Sequence, residues 1–142
     1  MMEFTDDMTA NGEVVETTLE SWDTDLTTMF GLAGTFIRKG EYAKAPTTAV
    51  PDISGLAVEG LQYKATEKLY LEAVVAEGKS NRVLTEARVP MYGYMWAHTG
   101  DRLRAQVRRQ EGFAAVEQAG DDPAGLVKIL RIAMSVERRG DG

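Results

Sequence analysis

Apolar residues recur at helical spacing along most of this chain, and no convincing strand-like alternation of apolar and polar positions occurs. The first apolar stripe predicts a helix from Leu19 or Ser21 to Lys39, because its members fall on one face at 3.6 residues per turn. Residues 17–20 match the pattern of a capping box, and Gly40 suits the stop. The stripe consists of Leu26, Met29, Phe30, Ala33, Phe36 and Ile37.

A second helix is predicted to begin near Leu61 and to run far along the chain. Apolar residues track one of its faces and continue as far as Met95. Gly78 and the polar residues 79–81 leave open a break or a bend, and hence one kinked helix or two. Pro90 lacks the backbone N–H that would bond to the carbonyl of Glu86, so we expect a kink at that turn. The glycines and prolines of residues 40–60, before this helix, predict an extended connector.

Three shorter helices complete the predicted fold. One begins at Asp101, and one covers residues 113–119. Asp122 and Pro123 form a strong N-cap and first-position pair for the last helix, which is predicted to end near Arg138. We therefore predict an all-α fold, a compact bundle of about five helices with a long kinked central helix.

The domain organisation follows from these elements. Residues 1–17 are polar and acidic, and we expect them to form a flexible arm. Residues 18–138 are predicted to form a single helical domain that includes the extended connector 40–60, and residues 139–142 a frayed tail. A chain of 142 residues is long enough to bury a sizeable core without disulfides or metals.

The composition excludes several kinds of site. The chain has no cysteine, which excludes disulfides, cysteine-bound zinc and thiol chemistry, and its single histidine excludes a histidine-rich metal site. No apolar run is long enough to span a bilayer, and the acidic N-terminus lacks the features of a signal or transit peptide. We therefore expect a cytoplasmic protein without membrane contacts, and no cofactor is implied.

Charge is distributed unevenly along the chain, whose net charge is −6. Residues 1–78 carry 5 basic and 14 acidic side chains, whereas residues 79–142 carry 11 basic and 8 acidic ones. This asymmetry suits attraction between neighbouring copies or between the second half and an anionic partner, and it is also compatible with an ordinary solvated surface.

The densest cluster of aromatic and methionine residues comes directly before a run of arginines. The cluster is predicted to supply core and hinge residues: Pro90, Met91, Tyr92, Met95 and Trp96. In the next helix, Leu103 and Val107 lie within about 40° of each other, which leaves the arginines on an outer face. These are Arg102, Arg104, Arg108 and Arg109. Three interpretations stay open, in which the face contacts RNA phosphates, an acidic face of a neighbouring copy, or only water.

No catalytic signature is present. His98 as a general base lacks an identifiable nucleophile or carboxylate partner, and a surface or helix-end histidine is the simpler interpretation. Glu67 and Glu72 are five residues apart and do not share a helix face, while Asp121 and Asp122 suit capping. Phosphate-binding glycine motifs are absent from the sequence. We expect no enzyme, no catalytic or metal-binding residues and no small-molecule substrate.

From Gly60 to Val136 the chain resembles the Gag-like segment of Copia-type LTR retrotransposons. The stretch KLYLEAVVAEGKSNRVLTEARVPMYGYMWAHTGDRL resembles the family's long helix, with a Tyr-x-x-x-Trp element at Tyr92 and Trp96 followed by a turn. The stretch QEGFAAVEQAGDDPAGLVKILR resembles the next block, a short aromatic-containing helix, a Gly-Asp break and a leucine-rich helix. The earlier stretch FGLAGTFIRKGEYAKAP resembles a weaker family feature, a helix that ends in Lys-Gly-x-Tyr before a proline-rich connector.

The resemblance implies a structural protein whose copies assemble into a particle that packages element RNA. Self-association is then the expected interaction, with RNA contact through the arginine face. Family polyproteins usually carry a downstream zinc knuckle and continue into protease, integrase and reverse transcriptase, whereas this chain lacks cysteine and stops at Gly142. We expect an N-terminal piece, a degraded copy or a stand-alone gene. The alternative function is a monomeric helical protein-binding module without assembly activity, with its groove beside Pro90.

Overall fold

The computed structural model describes residues 12–138, which form α-helices and one 3₁₀ segment without a β-strand in that range. The helices are α1 (Gly12–Phe30), α2 (Phe36–Lys39), α3 (Leu61–Glu86), α4 (Arg88–Ala97), α5 (Asp101–Arg108), α6 (Phe113–Ala119) and α7 (Pro123–Arg138). The 3₁₀ segment Gly31–Thr35 joins α1 to α2, and only Ala87 separates α3 from α4. Counting each of these joined pairs once gives five helical stretches. The predicted all-α fold, with a long central helix kinked before Pro90, is confirmed.

The chain divides into two compact units. The first, called the core unit, consists of Met1–Ala43 and Glu86–Gly142. The second, called the α3 unit, consists of Lys44–Thr85. The range that was expected to form a single helical domain, residues 18–138, therefore contains parts of both units.

The core unit is held together by apolar side chains that are almost inaccessible to solvent. On α1, Leu19, Trp22 and Leu26 lie three or four residues apart and therefore share one buried face. Burying a large apolar side chain contributes roughly 1.5–3 kcal/mol, so each of these positions stabilises the unit. Helix α7 contributes the largest buried set: Leu126, Val127, Ile129, Leu130, Ala133 and Met134.

Helix α1 begins earlier than predicted. It starts at Gly12, so the part of the predicted flexible arm from Gly12 to Thr17 is helical. Residues 1–11 of that arm, and the predicted tail at 139–142, lie outside the described residues.

Tertiary contacts involve the part of α1 around its expected start. Thr18 and Leu19 are buried, and the carboxylate of Glu16 forms an ion pair with Arg131 of α7. These contacts lie in the turns before and around the expected start, and they stabilise helix there. The capping-box pattern at residues 17–20 consequently lies inside α1 and not at its start.

The stretch predicted as one helix up to Lys39 is interrupted at Gly31. Its φ of +61° lies in the left-handed region, which glycine adopts without strain and which ends α1. Gly34 then packs tightly on α1, because a Cβ at this position would lie 2.2 Å from the carbonyl oxygen of Leu26. The 3₁₀ segment thus lies against the last turns of α1, and α2 ends at Gly40 as predicted.

The other helix ends that local chemistry predicts are confirmed. Helix α6 ends at Gly120, and α7 begins at Pro123. The Asp122 side chain accepts a hydrogen bond at 3.0 Å from the N–H of Gly125, as an N-cap residue should.

The α3 unit consists of α3 and the extended residues that precede it. The N–H of Ala45 donates to the side-chain oxygen of Asn81 at 2.8 Å, and the N–H of Thr48 donates to the Glu77 carboxylate at 2.5 Å. The Thr48 hydroxyl also donates to the carbonyl of Ala73 at 3.3 Å. These bonds attach the connector to one face of α3.

Candidate partner surfaces

The arginine face predicted from the sequence is built around the ring of Trp96. Phe113 stacks on this ring with 5.4 Å between the ring centroids. The guanidinium carbons of Arg104 and Arg108 lie 5.3 and 5.4 Å from the same ring centroid, within cation–π range. Residues from α4, α5 and α6 therefore form one cluster, which we call the Trp96 cluster.

The four arginines do not have equivalent environments. Arg104 donates two hydrogen bonds to the carbonyl of Trp96, at 3.2 and 2.7 Å, and lies 3.8 Å from the Asp101 carboxylate. It therefore joins the end of α4 to α5. Arg102, Arg108 and Arg109 are exposed, although Arg108 also contacts the Trp96 ring. The guanidinium of Arg104 is thus held by hydrogen bonds within the fold.

The predicted core and hinge residues occupy three kinds of position. Met91 and Met95 are completely buried, Tyr92 and Trp96 are half-buried, and Pro90 is exposed. Burial raises the pKa of Tyr92, and the nearby carboxylate of Glu117 adds to the effect. α4 thus presents its methionines to the core and parts of its aromatic rings to the surface.

His98 lies at the C-terminal end of α4. Its Nδ1 is 2.7 Å from the carbonyl oxygen of Tyr94, and its ring stacks on the Tyr94 ring with a centroid distance of 5.6 Å. The same carbonyl oxygen also accepts a hydrogen bond from the backbone N–H of His98 at 3.2 Å. Its contacts are those of a helix-end residue.

A polar network around Tyr42 was not predicted from the sequence. The Tyr42 hydroxyl donates to Asp122 at 2.5 Å and accepts from the N–H of Ala124 at 2.9 Å. The guanidinium of Arg88 lies 3.8 Å above the Tyr42 ring. Burial raises the pKa of Tyr42, and the hydrogen bond to the Asp122 carboxylate raises it further.

The Tyr42 network borders a cleft of about 400 Å³ in the core unit. Phe36 and Asp122 line it, together with two cationic side chains, Lys128 and Arg131. Arg131 is already paired with Glu16. The cleft combines one cap carboxylate with a basic rim, and this arrangement carries no recognisable catalytic geometry.

Helix α3 is the most exposed apolar element of the described chain. None of its 26 residues is buried. Several of its large apolar side chains are open to solvent, to an extent of 88% for Leu61, 67% for Leu69, 66% for Val83 and 57% for Val75. Large exposed apolar patches mark interaction sites in soluble proteins.

One face of α3 carries a shallow depression away from the connector. It is lined by five side chains in two turns: Leu71, Glu72, Val75, Ala76 and Lys79. Val75 and Ala76 form its apolar middle, with Glu72 before them and Lys79 after them along the helix, and Leu71 adds a third apolar side chain. We call this set the α3 patch.

Other kinds of site are not found in the part of the chain that the structure describes. Over residues 12–138, no group of three or more histidine, aspartate and glutamate side chains is placed to hold a metal ion. Within the same range, no helix has both the length and the apolar character needed to cross a membrane. The sequence matches no protein-family model, no curated protein and no solved structure.

Proposed function

We propose that this protein is a non-enzymatic, Gag-like assembly domain whose copies associate through α3. The observation that carries the proposal is a 26-residue helix without a buried residue. Most helix stability in proteins comes from packing of an apolar face against other parts of the structure. An apolar helix that its own chain leaves uncovered is therefore suited to packing against another chain.

The resemblance to Copia-type Gag segments supports the same proposal. The longest of the stretches that carry the resemblance begins at Lys68 and includes most of α3, all of α4 and the start of α5. It thus contains both the uncovered helix and the element that anchors the core unit through Met91 and Met95. In a structural assembly protein, this stretch would connect the folded core unit, through α4, to the surface for self-association on α3.

RNA contact forms a second part of the proposal and falls to the exposed arginines. Arg108 and Arg109 are exposed and adjacent, whereas Arg104 is bonded to the Trp96 carbonyl. Phosphate contacts by arginine release counterions, so RNA affinity should fall as salt rises. The proposed RNA contact therefore involves fewer arginines than the four that the sequence suggests.

Light scattering on a sizing column tests the proposal, across protein concentration and with and without RNA. We expect species larger than a monomer that increase with concentration and grow further with RNA. A strict monomer at every concentration, indifferent to RNA, would contradict assembly and favour the alternative of a monomeric protein-binding module. Repeating the series at low and physiological salt shows whether acidic and basic surfaces of neighbouring copies attract each other, because screening would then weaken association.

The RNA part has its own test. The double variant Arg108→Ala/Arg109→Ala should weaken RNA binding and lower the slope of log affinity against log salt by about 1 for each lost phosphate contact. The double variant Lys39→Ala/Lys44→Ala removes the same charge from exposed positions elsewhere and should leave the slope unchanged. Equal effects of the two variants would mean that net charge, rather than the arginine face, governs binding.

A further inference from the structure

We propose that the α3 patch is the contact between two copies of this chain, which pair α3 with α3 antiparallel about a two-fold axis between Val75 and Ala76. The inference rests on the proposed assembly function and names the surface and the geometry through which it begins. Three observations lead to it: the free face of α3, the order of charges along that face, and the small side chain at its centre.

The first observation concerns which face of α3 is free. The connector occupies the face that contains Ala73 and Glu77, through the hydrogen bonds from Thr48. At 100° per residue, Leu71 and Val75 each lie about 160° from Ala73 around the helix. They are 54% and 57% exposed. The α3 patch therefore lies on the side of the helix opposite the connector.

The second observation concerns charge. Glu72 and Lys79 are seven residues apart, so they share one stripe of the helix and lie at equal distances from the midpoint between Val75 and Ala76. In an antiparallel pair centred on that midpoint, Glu72 of each copy faces Lys79 of the other. A two-fold contact is self-complementary in this way, and the two opposite-charge pairs form together. A parallel in-register pair would instead place like charges opposite each other.

The third observation concerns the space between the helices. Ala76 lies at the centre of the patch with Leu71 and Val75 beside it. A small residue at a helix contact lets the partner backbone approach, while the larger side chains lose contact with water. The resulting layout, an apolar centre with charges at the rim, is the usual one for protein interfaces.

The same features select a second copy over other occupants. Glu72 and Lys79 cancel in charge, so the patch offers an RNA backbone no net attraction. An unrelated partner would not need the acid and the base to lie at equal distances from an apolar midpoint. Because the contact covers only about two turns, we expect a concentration-dependent dimer.

Charge reversal tests the pairing. Glu72→Lys and Lys79→Glu should each weaken dimerisation at least tenfold in analytical ultracentrifugation, since each places like charges opposite one another. A 1:1 mixture of the two variant proteins should restore dimerisation to near the wild-type level, because the heterodimer regains both opposite-charge pairs. Circular dichroism should show unchanged helix content for both variants, whose altered residues are exposed.

Cysteine cross-linking provides an independent test, because the chain contains no cysteine of its own. Val75→Cys lies at the proposed axis, and under oxidation it should form a disulfide-linked dimer at least tenfold faster than Val74→Cys. The control position, Val74, is also exposed, at 41%. It lies about 100° away from Val75 around the helix. A disulfide needs Cβ atoms about 3.5–4.5 Å apart, so the comparison reports on helix orientation.

The outcomes separate the inference from the function on which it rests. A wild-type protein that associates while both reversals associate equally well, or while their mixture fails to recover, would overturn the α3 pairing and leave the assembly function standing. Equal cross-linking of the two cysteine variants would likewise overturn it. A wild-type protein that stays monomeric at all concentrations would overturn both.

Discussion

Helices α7 and α3 show how similar apolar content leads to opposite outcomes. α7, in the core unit, has six buried apolar residues within an arc of about 160° around the helix, while Ile132, outside that arc, is 50% exposed. In the α3 unit, α3 spreads its large apolar residues around the circumference, and none of its residues is buried. A single protein layer can cover one arc but not a whole circumference. The arrangement of apolar residues, rather than their number, therefore distinguishes a core helix from an uncovered one.

The hydrogen bonds of the two units also differ, because those of the core unit accompany a buried apolar core and those of the α3 unit do not. In the core unit, Tyr42 bonds to Asp122 and to the N–H of Ala124, which connects residues about 80 positions apart in the chain. In the α3 unit, side-chain bonds such as Thr48–Glu77 attach a connector to an exposed helix. The core unit thus combines apolar burial with long-range polar contacts, while the α3 unit has the polar contacts without the burial.

The largest expected effect contrasts a core side chain with an uncovered one. Trp22→Ala should lower the free energy of unfolding by about 3–5 kcal/mol, because Trp22 is completely buried in the core unit and its removal leaves a cavity. Leu61→Ala, at 88% exposure in the α3 unit, should change it by less than about 0.5 kcal/mol. Urea denaturation measures both. Similar losses for the two variants would show that α3 is covered in solution.

A pair of glycines gives the next contrast, with opposite signs. Gly34→Ala should destabilise the core unit by about 1–3 kcal/mol, since the new Cβ would lie 2.2 Å from the Leu26 carbonyl oxygen. Gly78→Ala in α3 meets nothing within 4 Å and should stabilise its helix by up to about 1 kcal/mol. Thermal melts compare the two. Stabilisation by Gly34→Ala would rule out the tight turn after α1.

Two aspartates sharpen the comparison at a smaller scale. Asp122→Ala should cost about 1–2 kcal/mol, because it removes the N-cap of α7 and the acceptor for the Tyr42 hydroxyl. Asp52 in the α3 unit makes bonds of similar type to the N–H and hydroxyl of Ser54, in an exposed turn. Asp52→Ala should therefore leave the denaturation midpoint unchanged within error. A large effect of Asp52→Ala would mean that the connector contributes more to stability than its exposure indicates.

The smallest expected effect is a pH dependence of stability that arises from Tyr42 in the core unit. The pKa of Tyr42 is raised in the folded protein, by burial first and by Asp122 second, from an ordinary value of 10.0. Its contribution to stability is therefore complete below about pH 10 and is lost as pH rises from there towards the folded-state pKa. Tyr42→Phe should reduce this alkaline loss in denaturation curves recorded between about pH 8 and pH 11.

Asp122→Asn provides the control for that titration. Asparagine keeps an acceptor oxygen and remains a good N-cap, but it carries no charge to oppose ionisation of Tyr42. The alkaline loss of stability should then be intermediate between those of the wild type and Tyr42→Phe. An alkaline loss identical in all three proteins would assign it to other tyrosines.

Of the candidate surfaces, the arginine face could be predicted from the sequence, but the different environments of its arginines could not. The 100° spacing correctly placed Leu103 and Val107 inward, where both are buried. It could not show that Arg104 bonds to the carbonyl of Trp96, eight residues earlier, because the turn between α4 and α5 determines that contact. The α3 patch was missed, because helical periodicity alone does not reveal which faces remain uncovered.

Local chemistry was enough to predict several features from the sequence. The ends of α2 and α6 at Gly40 and Gly120, and the start of α7 at Asp122 and Pro123, depend on backbone groups within a few residues. The all-α class follows from apolar periodicity, which is also local. These features could be read directly from the chain because the interactions that determine them lie within one or two helical turns.

Long-range packing determined the rest. α1 extends beyond its predicted start, and Glu16 in this additional part pairs with Arg131, 115 residues away. After the break at Gly31, Gly34 packs closely on α1, which the periodicity of the sequence does not reveal. The exposure of α3 likewise results from which segments the fold brings near it. A periodic pattern specifies that a face is apolar, but only the path of the whole chain specifies what covers that face. In the core unit the chain itself covers it, and in the α3 unit we propose that a second copy does.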